Sequence, residues 1–339
     1  MSMTLTQTAK ITKRFLLIFG ILFVLLTVSY IGYQIYYYQY YLPHKPAPVI
    51  KPDKKFGPLP APKFISTDVS SSNYSYSLAT VTGGLPTDIP KIEKVYFIPQ
   101  LGTTLLASDK ATQLANSFSF TQGPTITNQT TYQFSDTQGG TMTIDLNTSN
   151  FTFNRIASPS GTLQENFTDQ GQVADQFKAY LSNKGLLADD LSSGRTNVVF
   201  DNSLPQNSQT ATISIWPADF NNLEIVTPTF SDGLIKAVVN TAKDETIKYQ
   251  NLTYTYWSPD SQNSSTYPLK TPDQAFSDLK SGLGVVVVQP TDPQVAITSV
   301  KLAYYESGSY SLYLLPVYVF EGEGFVAYVD AIPSDITAK

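Results

Sequence analysis

The chain has 339 residues, with 22 Lys and Arg against 27 Asp and Glu, one histidine and no cysteine. Its formal charge of −5 is unevenly spread: +3 on residues 1–14, +4 on residues 39–63 and −12 on residues 64–339. The acidic majority argues against a phosphate-neutralising nucleic-acid surface, and the missing cysteine excludes disulfides, a thiol nucleophile and thiolate metal sites.

Lys10, Lys13 and Arg14 precede a stretch with no charged residue from 15 to 35. About 20 apolar residues suffice for a helix to cross the roughly 30 Å hydrocarbon layer, so residues 15–38 are expected to form a single transmembrane helix. Cations ahead of the span place residues 1–14 in the cytoplasm and everything after the span outside it. The apolar core is too long for a cleaved signal peptide and no small-x-small site follows, which favours an uncleaved signal anchor in the cell membrane. Tyr30, Tyr33, Tyr36, Tyr37, Tyr38, Tyr40 and Tyr41 suit the headgroup layer at its outer end. Gly20, Thr27 and Gln34, spaced by seven, place small or polar side chains on one stripe, a surface that a partner's transmembrane helix could approach. The alternative is a plain anchor.

Residues 39–63 hold Pro43, Pro46, Pro48, Pro52, Pro58, Pro60 and Pro62 and are expected to be a stiff, extended, basic spacer. Beyond it the pattern is α+β, an ectodomain of helix-plus-antiparallel-meander modules. A first α+β module is expected over 64–160 and a second region over 161–339, divided near the Ser-Pro-Ser-Gly break at 158–164. Ser108 is the expected N-cap of a helix carrying Ala111, Leu114, Ala115 and Phe118 on one face. Strands follow at 130–134, 141–146 and 151–155, with Gly139-Gly140 as a hairpin turn. Val173, Phe177, Tyr180 and Leu181 mark a second helix ended by Gly185, and strands follow at 198–200, 210–216, 223–227, 234–240 and 246–257. The third helix has every boundary signal: Thr271 as N-cap, Pro272 at N1, Gln274 at N3 and Gly282 beyond the end. After it come strands at 297–305, 310–320 and 325–332. The middle one is apolar on both faces, so it should be covered on both, and Pro316 calls for a bulge or an unpaired position.

Tyr267-Pro268-Leu269, Val300-Lys301-Leu302-Ala303-Tyr304-Tyr305, Leu315-Pro316-Val317-Tyr318-Val319-Phe320 and Ala327-Tyr328-Val329-Asp330-Ala331 together resemble the C-terminal module of YycI-type proteins, over about the last 70 residues. That family comprises single-span extracytoplasmic accessory proteins of bacterial sensor kinases, with α+β ectodomains distantly akin to PepSY domains. The chain departs from the family pattern at Val317-Tyr318, where Trp-Arg is expected, and at Asp330, where Asn is expected. The resemblance implies a non-enzymatic role through contact with an envelope protein, a sensor kinase being the implied partner.

Direct chemical signals are sparse. The single histidine, His44, lies in the proline-rich segment, which leaves no imidazole for a triad or zinc site in the ectodomain. Ser277 and Lys280 match S-x-x-K spacing without the downstream elements of that chemistry, and Lys280 suits a helix C-terminus. The pairs Asp189–Asp190, Asp244–Glu245 and Glu321–Glu323 fall in turns, where solvated charge is the ordinary outcome; a carboxylate-dependent hydrolase would need two acids facing across a cleft. Tyr304, Tyr305, Tyr310, Tyr313 and Tyr318 offer a candidate aromatic surface for a wall- or glycan-binding module, against the alternative that they pack in the core. Asn73, Asn128, Asn147, Asn150, Asn166, Asn251 and Asn263 begin glycosylation-type triplets in a chain rich in Asn, Ser and Thr. No catalytic residue, metal site or cofactor is assigned.

Overall fold

The computed structural model describes residues 5–42, 51–65, 69–100, 102, 104–156 and 164–338. His44, Pro43, Pro46, Pro48 and nearly all of the expected break at 158–164 lie outside the described residues. The chain forms two units, Met1–Lys51 and Pro52–Lys339.

In the first unit helix α1 (Leu5–Tyr36) runs into a π-helical turn, Tyr37–Tyr41. Apolar residues occupy every side of it, and Phe15, Leu25 and Ile31 are more than half exposed. A helix whose apolar side chains lie on every side and are exposed suits lipid. The stretch Lys13–Tyr41 is long and apolar enough to cross a membrane, a description that a signal anchor also meets. Its tyrosines stack one turn apart, with ring centroids 5.4 Å apart for both Tyr36–Tyr40 and Tyr37–Tyr41.

The second unit is mixed α+β with two eight-stranded sheets rich in antiparallel pairs. In chain order it comprises β1 (Ser75–Leu78), β2 (Ile92–Phe97), α2 (Ala107–Ser117), β3 (Gln122–Asn128), β4 (Thr131–Ser135), β5 (Thr141–Asp145) and β6 (Phe151–Asn154). Then come α3 (Gln170–Asn183), α4 (Asp189–Ser192), β7 (Thr196–Phe200), β8 (Thr210–Ile215), β9 (Ile225–Val226), β10 (Ile235–Asn240), α5 (Glu245–Lys248) and β11 (Tyr249–Tyr254). The chain finishes with β12 (Ser264–Pro268), α6 (Pro272–Lys280), β13 (Val285–Val288), β14 (Gln294–Tyr305), β15 (Tyr313–Gly322) and β16 (Phe325–Asp330).

One sheet, ordered β3-β4-β5-β6-β11-β10-β8-β7, is wholly antiparallel. It is built from two runs of one helix and four strands, α2 with β3–β6 and α3 with β7, β8, β10 and β11. The last strand of each run pairs with the last strand of the other, from Asn154↔Asn251 to Phe151↔Tyr254. The division expected at 160 therefore falls inside one sheet, because β6 and β11 pair across it. Alternate residues are buried, as in Ile235, Ala237 and Val239 of β10, and α2 and α3 cover that face through Ala111, Ala115, Phe177 and Leu181. Period-two burial is what a sheet with one covered face demands.

Asp169 caps α3 by accepting from the Gln172 amide at 2.9 Å, and Gly185 ends it at φ +69°. Helix α2 departs from expectation. It begins at Ala107, one residue before Ser108, and Leu106 at the N-cap makes no side-chain bond. The strand expected over 246–257 likewise begins later, since Asp244 accepts from the Thr246 amide and caps the short helix α5 first.

The central sheet runs β1-β14-β15-β16-β13, with β9 on the edge of β14 and β2 joining β15 to β12. Strands β15 and β16 are buried on both faces. Tyr318, Phe320, Ala327 and Val329 face one core with Leu279 and Ala275 of α6; Val317, Val319, Val326 and Tyr328 face another, partly covered by Phe64 and Phe230. Helix α6 has the full capping box between Thr271 and Gln274. Pro316 sits where the neighbour of β15 changes from β2, paired at Tyr313 and Leu314, to β16, paired from Val317 onward. The absent N–H falls at that seam, which is how a proline fits an interior strand. Unlike the runs in the other sheet, α6 is not followed by a simple meander, because β13 pairs with β16.

The expected spacer over 39–63 is shorter than its composition implies. Helix α1 and its π-helical turn reach Tyr41, and residues 52–64 belong to the folded unit. Asp53 accepts from the Ser265 hydroxyl and from the Thr266 amide at 2.8 Å; Phe56 stacks on Tyr313 at 4.9 Å. Leu59 is fully buried and bridges in parallel to Thr337. Proline prevents helix, but it leaves an extended chain free to dock.

Candidate functional site

Four connecting segments converge where the two sheets meet: the exit from β2 (98–100), the turn between β5 and β6 (147–148), the link from β11 to β12 (256–261) and Tyr310 in the loop between β14 and β15. They enclose a cleft of about 520 Å³. Each segment is held by local chemistry. Asp145 Oδ1 accepts from the amides of Asn147 and Thr148, both at 2.9 Å, and fixes the first turn. The Asp260 amide donates to the Phe97 carbonyl at 2.8 Å, while its carboxylate accepts from the Gln262 amide at 2.9 Å. Such Asx turns set a loop without a regular ladder.

The aromatic walls are locked at their polar tips. Trp257 Nε1 donates to the Ser307 carbonyl at 2.8 Å, and its ring meets Tyr310 edge-on with centroids 5.7 Å apart. The Tyr310 hydroxyl donates to the Ile98 carbonyl at 2.8 Å. The Tyr256 hydroxyl reaches both Asp190 oxygens, at 2.8 and 2.9 Å. Behind this wall Glu306 is 3 % exposed. Burial pushes its carboxyl up to about 8, against a partly compensating hydrogen bond from the Trp257 backbone, with Asp190 adding to the rise. Burial also raises Tyr256, and its bond to Asp190 adds to that.

The tyrosines proposed from sequence do not make a surface. Tyr304, Tyr305 and Tyr318 are buried, with hydroxyls donating to the carbonyls of Lys94, Lys63 and Lys270. Tyr313 is half-buried against Phe56 and Phe97, and Tyr310 alone of the five lines the cleft. Their positions in the central sheet, covered on both faces, turn the alternation into packing. On α1, Thr27 donates to the Phe23 carbonyl and Gln34 to the Tyr30 hydroxyl, while Gly20 has open space around its Cα.

Ser277 and Lys280 are both exposed on α6, with the Lys280 ammonium over the Phe276 ring at 4.6 Å. Of the acidic pairs, Asp190 is held by Tyr256, Asp244 caps α5, and Glu321 shares Lys301 with Glu224 at 2.6 and 2.7 Å. Among the described residues no three His, Cys, Asp or Glu gather as a metal site. Of the cleft residues, sequence singled out Tyr310, as part of an aromatic surface, and Asn147, as the start of a glycosylation-type triplet, but not their convergence. The signal for the others was Trp257-Ser258-Pro259-Asp260, a turn sequence carrying one of two tryptophans shortly beyond β11.

No protein-family model and no curated protein matches the chain. Among solved structures, the crystal structure of an uncharacterized protein from Eubacterium rectale ATCC 33656 is similar at 12% identity and a TM-score of 0.39, covering 72% of this chain and 84% of that one.

Proposed function

We propose that the chain is a membrane-anchored protein of the cell envelope whose folded unit lies outside the cytoplasm and acts by protein–protein contact, not by catalysis. The observation that carries this reading is α1, apolar on every side, with Lys13 and Arg14 at the start of its uncharged stretch. The resemblance of the last 70 residues to YycI-type proteins points to a sensor kinase as the partner. The stripe of Gly20, Thr27 and Gln34 is the proposed contact within the membrane. Thr27 and Gln34 already bond within their own helix, so close approach at Gly20 carries more of that contact than new hydrogen bonds.

Photo-crosslinking in intact cells from a probe residue at Val24 tests the contact. A discrete partner band is expected, and it should disappear when Gly20 and Thr27 are both replaced by Leu. An unchanged band in the double variant would reduce the helix to a tether. Protease added outside wall-stripped cells should release the folded unit as a soluble fragment; full protection would reverse the orientation.

A further inference from the structure

We propose that the cleft between the two sheets binds a neutral saccharide, through the half-buried rings of Tyr256 and Tyr310, the small accessible part of Trp257, and the polar side chains of Gln100, Asn147 and Asp260. A volume of about 520 Å³ is that of a small-ligand site, where most contact area is aromatic or apolar and a few polar groups set orientation. Sugar rings carry an apolar C–H face and a rim of hydroxyls. A wall of rings beside two amides and a carboxylate offers the matching surface, with both donors and acceptors for the rim.

Charge narrows the class. None of the described residues lining the cleft is Lys, Arg or His, while Asp260 lines it and residues 64–339 carry −12. An anionic ligand would meet repulsion without a compensating cation, and a purely apolar one would take water from the Asp260 carboxylate without replacing it. Rigidity supports binding over mere packing. The Trp257, Tyr310 and Tyr256 tips are already bonded to Ser307, Ile98 and Asp190, so the rings need not be ordered when a ligand arrives. This inference stands apart from the proposed membrane contact, which uses none of these residues.

The full chain in phosphatidylcholine nanodiscs tests it. Trp216 is buried away from the cleft against Arg195, so Trp216→Phe leaves Trp257 as the sole tryptophan and reporter. Titration with chitotriose and with maltotriose should give a saturable change in its emission with at least one of them. Trigalacturonate, the anionic counterpart, should bind at least tenfold more weakly, and trilysine should not compete. Ser261→Phe, at an exposed lining position, should weaken binding at least tenfold with the thermal midpoint unchanged. Tyr310→Phe should keep binding and Tyr310→Ala should lose it, since the ring face and not the hydroxyl is the contact. No response to either neutral trisaccharide, equal or tighter binding of trigalacturonate or trilysine, or an unchanged affinity in Ser261→Phe would each overturn the proposal.

Discussion

In the wholly antiparallel sheet a strand such as β10 buries Ile235, Ala237 and Val239 and leaves Lys236, Val238 and Asn240 half-exposed, whereas β15 in the central sheet buries everything from Leu314 to Phe320. The first sheet has helices on one face. The second has α6 on one side and Phe64 with Phe230 on the other, so its strands have no side free for polar residues. The difference teaches that an apolar run and an alternating one are the same local structure under different cover.

The sharpest way to break that comparison is to uncover one face. Leu279→Ala on α6 should cost about 2–5 kcal/mol in urea unfolding, because a fully buried side chain leaves a cavity against Phe320 and its neighbours. Ser277→Ala, on the exposed side of the same helix, should cost less than about 0.5 kcal/mol. Equal effects would show that α6 is not the cover. A second pair swaps polarity on matched strands. Val319→Thr in β15 should cost about 1–3 kcal/mol through an unsatisfied buried hydroxyl, and Val238→Thr in β10 less than about 0.5 kcal/mol.

Buried acids distinguish the regions next. Glu306 behind the cleft is raised to about 8 and Asp330 at the end of β16 to about 6, both chiefly by burial. A raised carboxyl holds its proton in the folded state where the unfolded chain has lost it. Stability therefore falls as pH climbs, from about 4.5 to about 8 for Glu306 and from about 3.8 to about 6 for Asp330. Glu306→Gln should match the parent at pH 4 and be more stable by roughly 1 kcal/mol or more at pH 8.5, one pKa unit being worth about 1.4 kcal/mol. Coincident stability curves for variant and parent would place Glu306 outside the low-dielectric interior. A modest effect is expected at the docked N-terminal segment. Asp53→Ala removes an acceptor for Ser265 and Thr266 at an exposed position, and should cost about 1 kcal/mol and speed tryptic cleavage at Lys54 and Lys55.

Where burial is one-sided, sequence alone indicated much of the structure: the α3 face of Val173, Phe177, Tyr180 and Leu181, the capping box of α6 and most strands of the two meanders. Strands β1, β2, β3, β12 and β13 were not legible. Three of them, β1, β2 and β12, are polar or mixed pieces whose partners lie far along the chain, such as Tyr267↔Glu93; β3 is a fully exposed, polar strand beside β4, and Val285–Val288 is too short an apolar run to assign from periodicity. The cleft was hidden for a related reason. It is assembled from loop segments about 50 to 110 residues apart in sequence, and no local pattern encodes their convergence. Tyr304, Tyr305, Tyr313 and Tyr318 misled because alternation in a strand does not reveal whether its outer face is covered.

The alternation of prolines at 58, 60 and 62 has a consequence for solubility. In extended chain neighbouring residues direct their backbone groups to opposite sides, and Leu59 gives both of its own to the C-terminal segment, its amide to Ile336 and its carbonyl to Ala338. The opposite side is where Pro58, Pro60 and Pro62 would present amide hydrogens, and they have none. The Pro62 carbonyl already accepts from the Phe64 amide, so the outer edge of this segment has no proline donors and few open acceptors, a poor template for a strand from another molecule.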